Sequence, residues 1–276
     1  METDFIPLDY DYFDFEGRNY ARIIGRNSKG KRICLVDSCD VFFWAILQDG
    51  LKREKIEKII GKIRKIKLDA KGRQTRVENV EIHDKKFLGK DVKALKIFAT
   101  NYKDLHGIAD EMGFEEIEKR RGYDLGFITH YIMERKISPC NWYEISGDLI
   151  VGQNEFAGIS NLDVDFCIKL QKMKKIDDKK FLPKIIAYDI ETDEIKIGKG
   201  EILMISLVSD NFKKVITWKK TGKKYDNVEY VKDESELLEK FSEYVKKISP
   251  DFLVGYFSDV FELPYLKARA EENKVK

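Results

Sequence analysis

The sequence is poor in cysteine, proline and histidine: 276 residues hold 4 Cys, 5 Pro and 3 His. Cys34, Cys39, Cys140 and Cys167 contain no CxxC pair, and His83, His106 and His130 stand far from them, so zinc-ligand spacing is absent. Four thiols in so long a chain make no disulfide scaffold, and the expectation is reduced, mostly buried cysteines. No apolar run approaches the roughly 20 residues that cross a bilayer. The first residues, Met-Glu-Thr-Asp-Phe-Ile-Pro, lack a basic segment leading into an apolar one. These absences predict a soluble, cytoplasmic protein without a signal peptide. A net charge of only +2 with 12% aromatics excludes a disordered polyelectrolyte.

Charge of both signs is plentiful instead. Charged residues reach 36%, against about 25% in ordinary globular chains. High Lys and Glu with 5 Met and 4 Cys fits a thermophile. Apolar residues make up 43%, enough for a core, and the length predicts two domains at about 150 residues each. Locally the balance is uneven. Residues 1–16 carry six acids and no bases, whereas 52–76 carry eleven bases against three acids. Lys62, Arg64, Lys65, Lys67, Arg73 and Arg76 could neutralise phosphates there; a solvated helix face followed by a basic hairpin is the alternative.

Periodicity outlines the elements. Residues 18–24 and 32–37 read as strands around an Asn27-Ser28-Lys29-Gly30 turn, and 41–47 as a buried strand. Ile56, Ile59, Ile60 and Ile63 recur at helical spacing, with Gly61 as the expected helix end and a strand over 62–68. Strands over 78–82, 93–99 and 114–119 and helices over 105–112 and 127–134 complete a mixed α+β domain, residues 1–138. A second domain, 139–276, begins at Pro139 with short strands and turns at Gly147, Gly152 and Gly158. Strands over 184–189, 201–209 and 214–218 follow. Then come a helix over 235–248 with a capping box at Asp233 and Glu236, a strand at 252–256 and a helix over 261–272. That order opens a ribonuclease-H-like α/β domain.

The chemistry-bearing stretch is Ile185-Ile186-Ala187-Tyr188-Asp189-Ile190-Glu191-Thr192. Carboxylates at i and i+2 share one strand face. Paired oxygens of this kind suit Mg²⁺ or Mn²⁺, and two such ions can drive phosphodiester hydrolysis. Two solvated acids at a strand end are the bland alternative. The second stretch runs Ser249-Pro250-Asp251-Phe252-Leu253-Val254-Gly255-Tyr256-Phe257-Ser258-Asp259-Val260-Phe261-Glu262-Leu263-Pro264-Tyr265-Leu266.

Together these stretches resemble the first and second exonuclease motifs of archaeal family B DNA polymerases. Lys86-Phe87-Leu88-Gly89-Lys90, Tyr123-Asp124-Leu125-Gly126-Phe127 and Val215-Ile216-Thr217-Trp218-Lys219 are similar to family segments in the same order. The resemblance implies an α+β N-terminal domain that contacts template, then part of a ribonuclease-H-like 3′–5′ proofreading domain. It implies Asp189, Glu191 and Glu262 as catalytic residues, with Asp189 and Glu191 binding two Mg²⁺ or Mn²⁺ ions. The sequence departs from the pattern at Phe257, where the family has Asn, and at Glu262, where it has Asp. The resemblance also implies a template-uracil pocket at Tyr12, Val41, Ala94, Phe127 and His130, although Tyr12 and Phe127 equally suit a core. The third exonuclease motif and the polymerising domains are not matched. The expectation is therefore part of a DNA-directed DNA polymerase, a fragment or a split-gene product. It would contact template and primer DNA, with the remaining polymerase segment or a second subunit as partner, and would not polymerise alone. The alternative is an inactivated homologue acting as a DNA- or replisome-binding module.

Overall fold

The computed structural model describes residues 1–70, 72–151, 162–220, 222–223 and 225–275. Lys71 and the turns expected at Gly152 and Gly158 lie outside the described residues. The chain forms two compact units, Met1–Lys179 and Lys180–Lys276.

The first unit contains β1 (Glu2–Phe15), β2 (Arg18–Arg26), β3 (Arg32–Asp37), β4 (Val41–Leu47), α1 (Arg53–Ile63), β5 (Lys67–Ala70), β6 (Arg73–Phe87) and β7 (Lys90–Ala99). It continues with α2 (Leu105–Asp110), β8 (Ile117–Arg121), α3 (Phe127–Arg135), β9 (Tyr143–Leu149) and β10 (Phe166–Lys175). β1-β2-β3-β10-β9 closes into a barrel, and β5-β6-β7-β4-β8 forms an open sheet. The β2–β3 hairpin turns where the sequence predicts. Gly30 takes φ +76°, and the Asn27 side chain accepts from the Lys29 and Lys31 amides at 3.1 and 2.9 Å. On the open sheet, Phe43, Ala45, Leu95 and Ile97 join the same buried core as Ile56, Ile59 and Ile63 of α1 and Leu105 and Ile108 of α2.

Several features differ from the sequence expectation: the strand expected over 62–68 begins only at Lys67, and the one expected over 78–82 runs from Arg73 to Phe87. α1 runs through Gly61 to Ile63, because Ile63 is a fully buried third anchor after Ile56 and Ile59. β1 is a 14-residue strand whose Asp9 and Asp11 alternate with packed tyrosines, masking its apolar face. The division between units falls at 179/180 rather than 138/139. β9 pairs with β1, and β10 pairs with β3. Those long-range pairings carry the segment after Pro139 back into the first unit.

The second unit holds β11 (Ile185–Thr192), β12 (Ile202–Ser209), β13 (Phe212–Thr217), β14 (Val228–Tyr230), α4 (Glu234–Ile248), β15 (Phe252–Val254) and α5 (Glu262–Asn273). The sheet order is β14-β13-β12-β11-β15. β12 runs antiparallel to β11 and to β13, and β15 runs parallel to β11. The strand, hairpin strands, helix, strand and helix come in the expected order, and the structure adds β14 ahead of α4. Ile186, Tyr188 and Ile190 of β11 form one core with Leu237 and Leu238 of α4 and Tyr265 and Leu266 of α5.

Candidate active site

Strand alternation sets the site. β11 buries every second residue, so Ile186, Tyr188 and Ile190 enter the core while Ala187, Asp189 and Glu191 remain exposed on the other face. Asp189 and Glu191 sit opposite Ser206 and Met204 of β12. The loop after them is fastened from α5. The Tyr265 hydroxyl donates to the Glu194 carbonyl at 2.9 Å and accepts from the Gly200 amide at 3.2 Å. Asp193 Oδ1 accepts from the Glu201 amide at 2.6 Å. A Cβ on Gly200 would stand 2.1 Å from that oxygen, which is why a glycine occupies the return of the loop.

The second motif turns sharply after β15. At Gly255 a Cβ would meet Ser258 Oγ at 2.0 Å. Phe257, where the family has Asn, is 56% exposed and Tyr256 is 98% exposed. Glu262 opens α5 and is only 4% exposed. Its Oε1 accepts from the Phe257 amide at 3.3 Å, and its Oε2 is buried with no hydrogen-bond partner among the described residues. Burial pushes the Tyr188 phenol up, the Ser258 hydroxyl opposes this, and the charges of Glu262 and Asp259 add to it. Glu262 thus faces the environment of the core-side Tyr188.

Among the described residues no three Asp, Glu, His or Cys side chains converge on one metal position. Asp189, Glu191 and Glu262 are therefore not brought together as a triad. The donor chemistry of Asp189 and Glu191 nonetheless fits a hard divalent cation, which takes one or two carboxylates and otherwise water or phosphate oxygens.

In the first unit the residues of the expected uracil pocket fall into a Tyr12–Phe127 pair, a Val41–His130 pair and Ala94 apart from both. Tyr12 and Phe127 rings lie 5.2 Å apart between centroids, with Tyr102 against both. His130 Nε2 donates to the Asp40 carbonyl at 3.0 Å, which brings it beside Val41, and burial pushes its pKa down despite that bond. A cleft of about 490 Å³ opens beside Val41, Asp40 and Arg18. Ala94 belongs elsewhere: it pairs with Ile46, whereas Val41 pairs with Ala99 at the opposite end of the same ladder.

Lys62, Arg64, Lys65, Lys67 and Arg76 are exposed. Arg73 is not free for phosphate. It grips Asp104 at 2.9 and 2.7 Å, and the Thr75 hydroxyl donates to the same carboxylate. The sequence reading missed a second basic surface. On β4 and β7, Lys96 Nζ lies 3.7 Å from the centroid of the buried Phe42, and Lys85 Nζ lies 4.8 Å from the partly exposed Trp44. Lys119 and Arg121 cover Phe87 at 5.4 and 5.7 Å. The signal was the period-two run Phe42, Trp44, Ile46, hidden because residues 41–47 are apolar throughout.

Comparison with known proteins agrees with this architecture. The family described as DNA polymerase family B, exonuclease domain, matches residues 118–276. The DNA polymerase of Thermococcus sp. (strain GE8) is 28% identical over 98% of this chain and 13% of its own length. That of Pyrococcus glycovorans is 26% identical over 98% and 29%. The solved family B DNA polymerase of Pyrobaculum calidifontis superposes with a TM-score of 0.71 at 20% identity, over 99% of this chain and 33% of that one. The chain spans less than a third of the two sequence relatives. The match spans more than half of the chain: this chain belongs to DNA polymerase family B and carries sequence of that family's exonuclease domain.

Proposed function

We propose that this chain supplies the first carboxylate pair of a divalent-metal-dependent 3′–5′ proofreading site, together with contacts to single-stranded DNA, within a family B DNA polymerase of the cytoplasm. The observation that carries the reading is Asp189 and Glu191 side by side on the exposed face of β11, backed by a buried apolar face. Both would hold Mg²⁺ or Mn²⁺. When bound, the ion polarises the scissile phosphate and lowers the pKa of the attacking water. The chain's own part is positional. The rigid strand sets the carboxylate spacing, and Tyr265 holds the loop that follows. Glu262, one methylene longer than the family's Asp, braces the 257–261 turn through the Phe257 amide.

The partly exposed rings of Trp44 and Phe87, with Lys85, Lys119 and Arg121 over them, support single-strand contact, since bases stack on such rings while cations meet phosphates. The exposed residues Lys62, Arg64, Lys65, Lys67 and Arg76 offer a second phosphate track. The Tyr12–Phe127 cluster with Val41 and His130 remains the candidate template-base pocket. Nucleotide addition belongs, on this reading, to the larger part of the relatives that the chain does not match.

The inward turn of Glu262 and the exposed Phe257 favour a second reading, a non-catalytic DNA-binding module. A 5′-labelled single-stranded oligonucleotide with Mn²⁺ separates the two. Shortening from the 3′ end that Asp189→Asn and Glu191→Gln abolish supports the enzyme. Binding of the intact strand, unchanged by either substitution, supports the module. Titration of Mn²⁺ by electron paramagnetic resonance tests the ligands directly: each substitution should weaken binding at least about tenfold, and an unchanged affinity overturns the assignment.

A further inference from the structure

We propose that Cys34 and Cys167 are a peroxide-responsive thiol pair that closes to a disulfide across the β3–β10 seam of the first-unit barrel. The two residues are register partners on neighbouring parallel strands. Partners in that arrangement point to the same side of the sheet. Their strands lie about 4.8 Å apart, within the roughly 4.4–6.8 Å between Cα atoms that a disulfide accepts.

The two thiols belong to one apolar cluster, and the Cys34 thiol donates to the Leu35 carbonyl at 3.9 Å. The pair is asymmetric. The neighbouring Cys34 thiol pulls the Cys167 thiol down, while Cys167 and burial push Cys34 up. Cys34 is fully buried in an apolar cluster with Val36, Phe13, Tyr20 and Ile150. Cys167 is half-buried, so a small oxidant reaches it and not its partner. Neither remaining cysteine is so placed. Burial pushes Cys39 up to about 12, and Cys140 is an exposed thiol outside every strand.

The oxidant is hydrogen peroxide. The Cys167 thiolate attacks one peroxide oxygen, the O–O bond breaks, and the departing hydroxide takes up a proton as water, leaving a sulfenic acid. The Cys34 sulfur then attacks the Cys167 sulfur. The S–S bond forms, the S–O bond breaks, and the Cys34 proton leaves with the hydroxyl as a second water. Two thiols are oxidised and one peroxide is reduced to two waters. The product is a cross-link between β3 and β10, which are far apart in sequence.

The test is peroxide treatment of the whole chain, acid quenching, alkylation and intact-mass and peptide mapping. The expected result is loss of two hydrogens and one cross-linked peptide joining residues 34 and 167. The unfolding midpoint should rise by about 10 °C and return after dithiothreitol. The double variant Cys39→Ser/Cys140→Ser should behave identically, and Cys34→Val, which preserves apolar packing, should abolish the cross-link. An unchanged mass, a bridge to Cys39 or Cys140, or Cys167 oxidised without cross-linking in the unsubstituted chain overturns the proposal. The peptide map needs no variant, so a misfolded variant does not shelter it.

Discussion

Arg269 and Glu234 are charges placed where water scarcely reaches them, at 7% and 4% exposure. The guanidinium meets the carboxylate at 2.8 and 2.5 Å. The Asn273 amide and the Ile202 backbone N–H donate to the same group at 2.9 and 2.7 Å. Removing one partner leaves the other uncompensated, so Arg269→Ala should cost about 3–5 kcal/mol in a denaturant titration. Burial raises the Glu234 pKa, but Arg269, Ile202 and Asn273 outweigh it and hold the group below its ordinary 4.5. A depressed folded pKa means the stabilisation is present above about pH 4.5 and fades as pH falls through the folded value. Acid titration of stability should show that loss, and Arg269→Ala should flatten it. Residue-level legibility was uneven. The shared face of Asp189 and Glu191 follows from a spacing of two. The orphaned Oε2 of Glu262 does not, because only the 257–261 turn decides which way that side chain points.

Helix α4 shows an element whose ends were written locally. Asp233 accepts from the Glu236 amide at 2.9 Å, and Glu236 reaches back to the Lys232 amide at 2.8 Å. Asp233→Ala should cost about 1 kcal/mol, read from the urea midpoint. Helix α1 offers the opposite lesson. Its glycine signalled an end that Ile63 overrides, because burying Ile63 in the core outweighs the roughly 1 kcal/mol penalty of one helical glycine. The sheet face of β4 and β7 carries a functional prediction. Trp44→Ala/Phe87→Ala should weaken single-stranded DNA binding about tenfold or more with little change in salt dependence, since stacking is lost. Lys62→Glu/Lys65→Glu should instead flatten the salt slope by about 1.4, roughly 0.7 for each lost phosphate contact on a single strand. Fluorescence anisotropy across a salt series measures both. Equal behaviour of the two variants would remove the distinction between the surfaces.

At the scale of the molecule, the two units have separate cores, one including Phe43 and Ile97 and the other Ile186 and Leu237. Calorimetry should resolve two transitions, with Arg269→Ala lowering only one. The sequence by itself determined what depends on neighbours along the chain: the β11 alternation, the α4 cap, the Asn27–Gly30 turn and the motifs that mark the family. Those are settled by side-chain period and short-range hydrogen bonds. Tertiary structure alone decided that β10 returns to β3 and moves the unit boundary to 179/180. It also decided that Arg73 is spent on Asp104, that Ala94 stands apart from Val41, and that Cys34 faces Cys167. Each depends on pairing between residues distant in sequence, where the closure of a barrel or the burial of a charge sets the partner and local pattern carries no record of it.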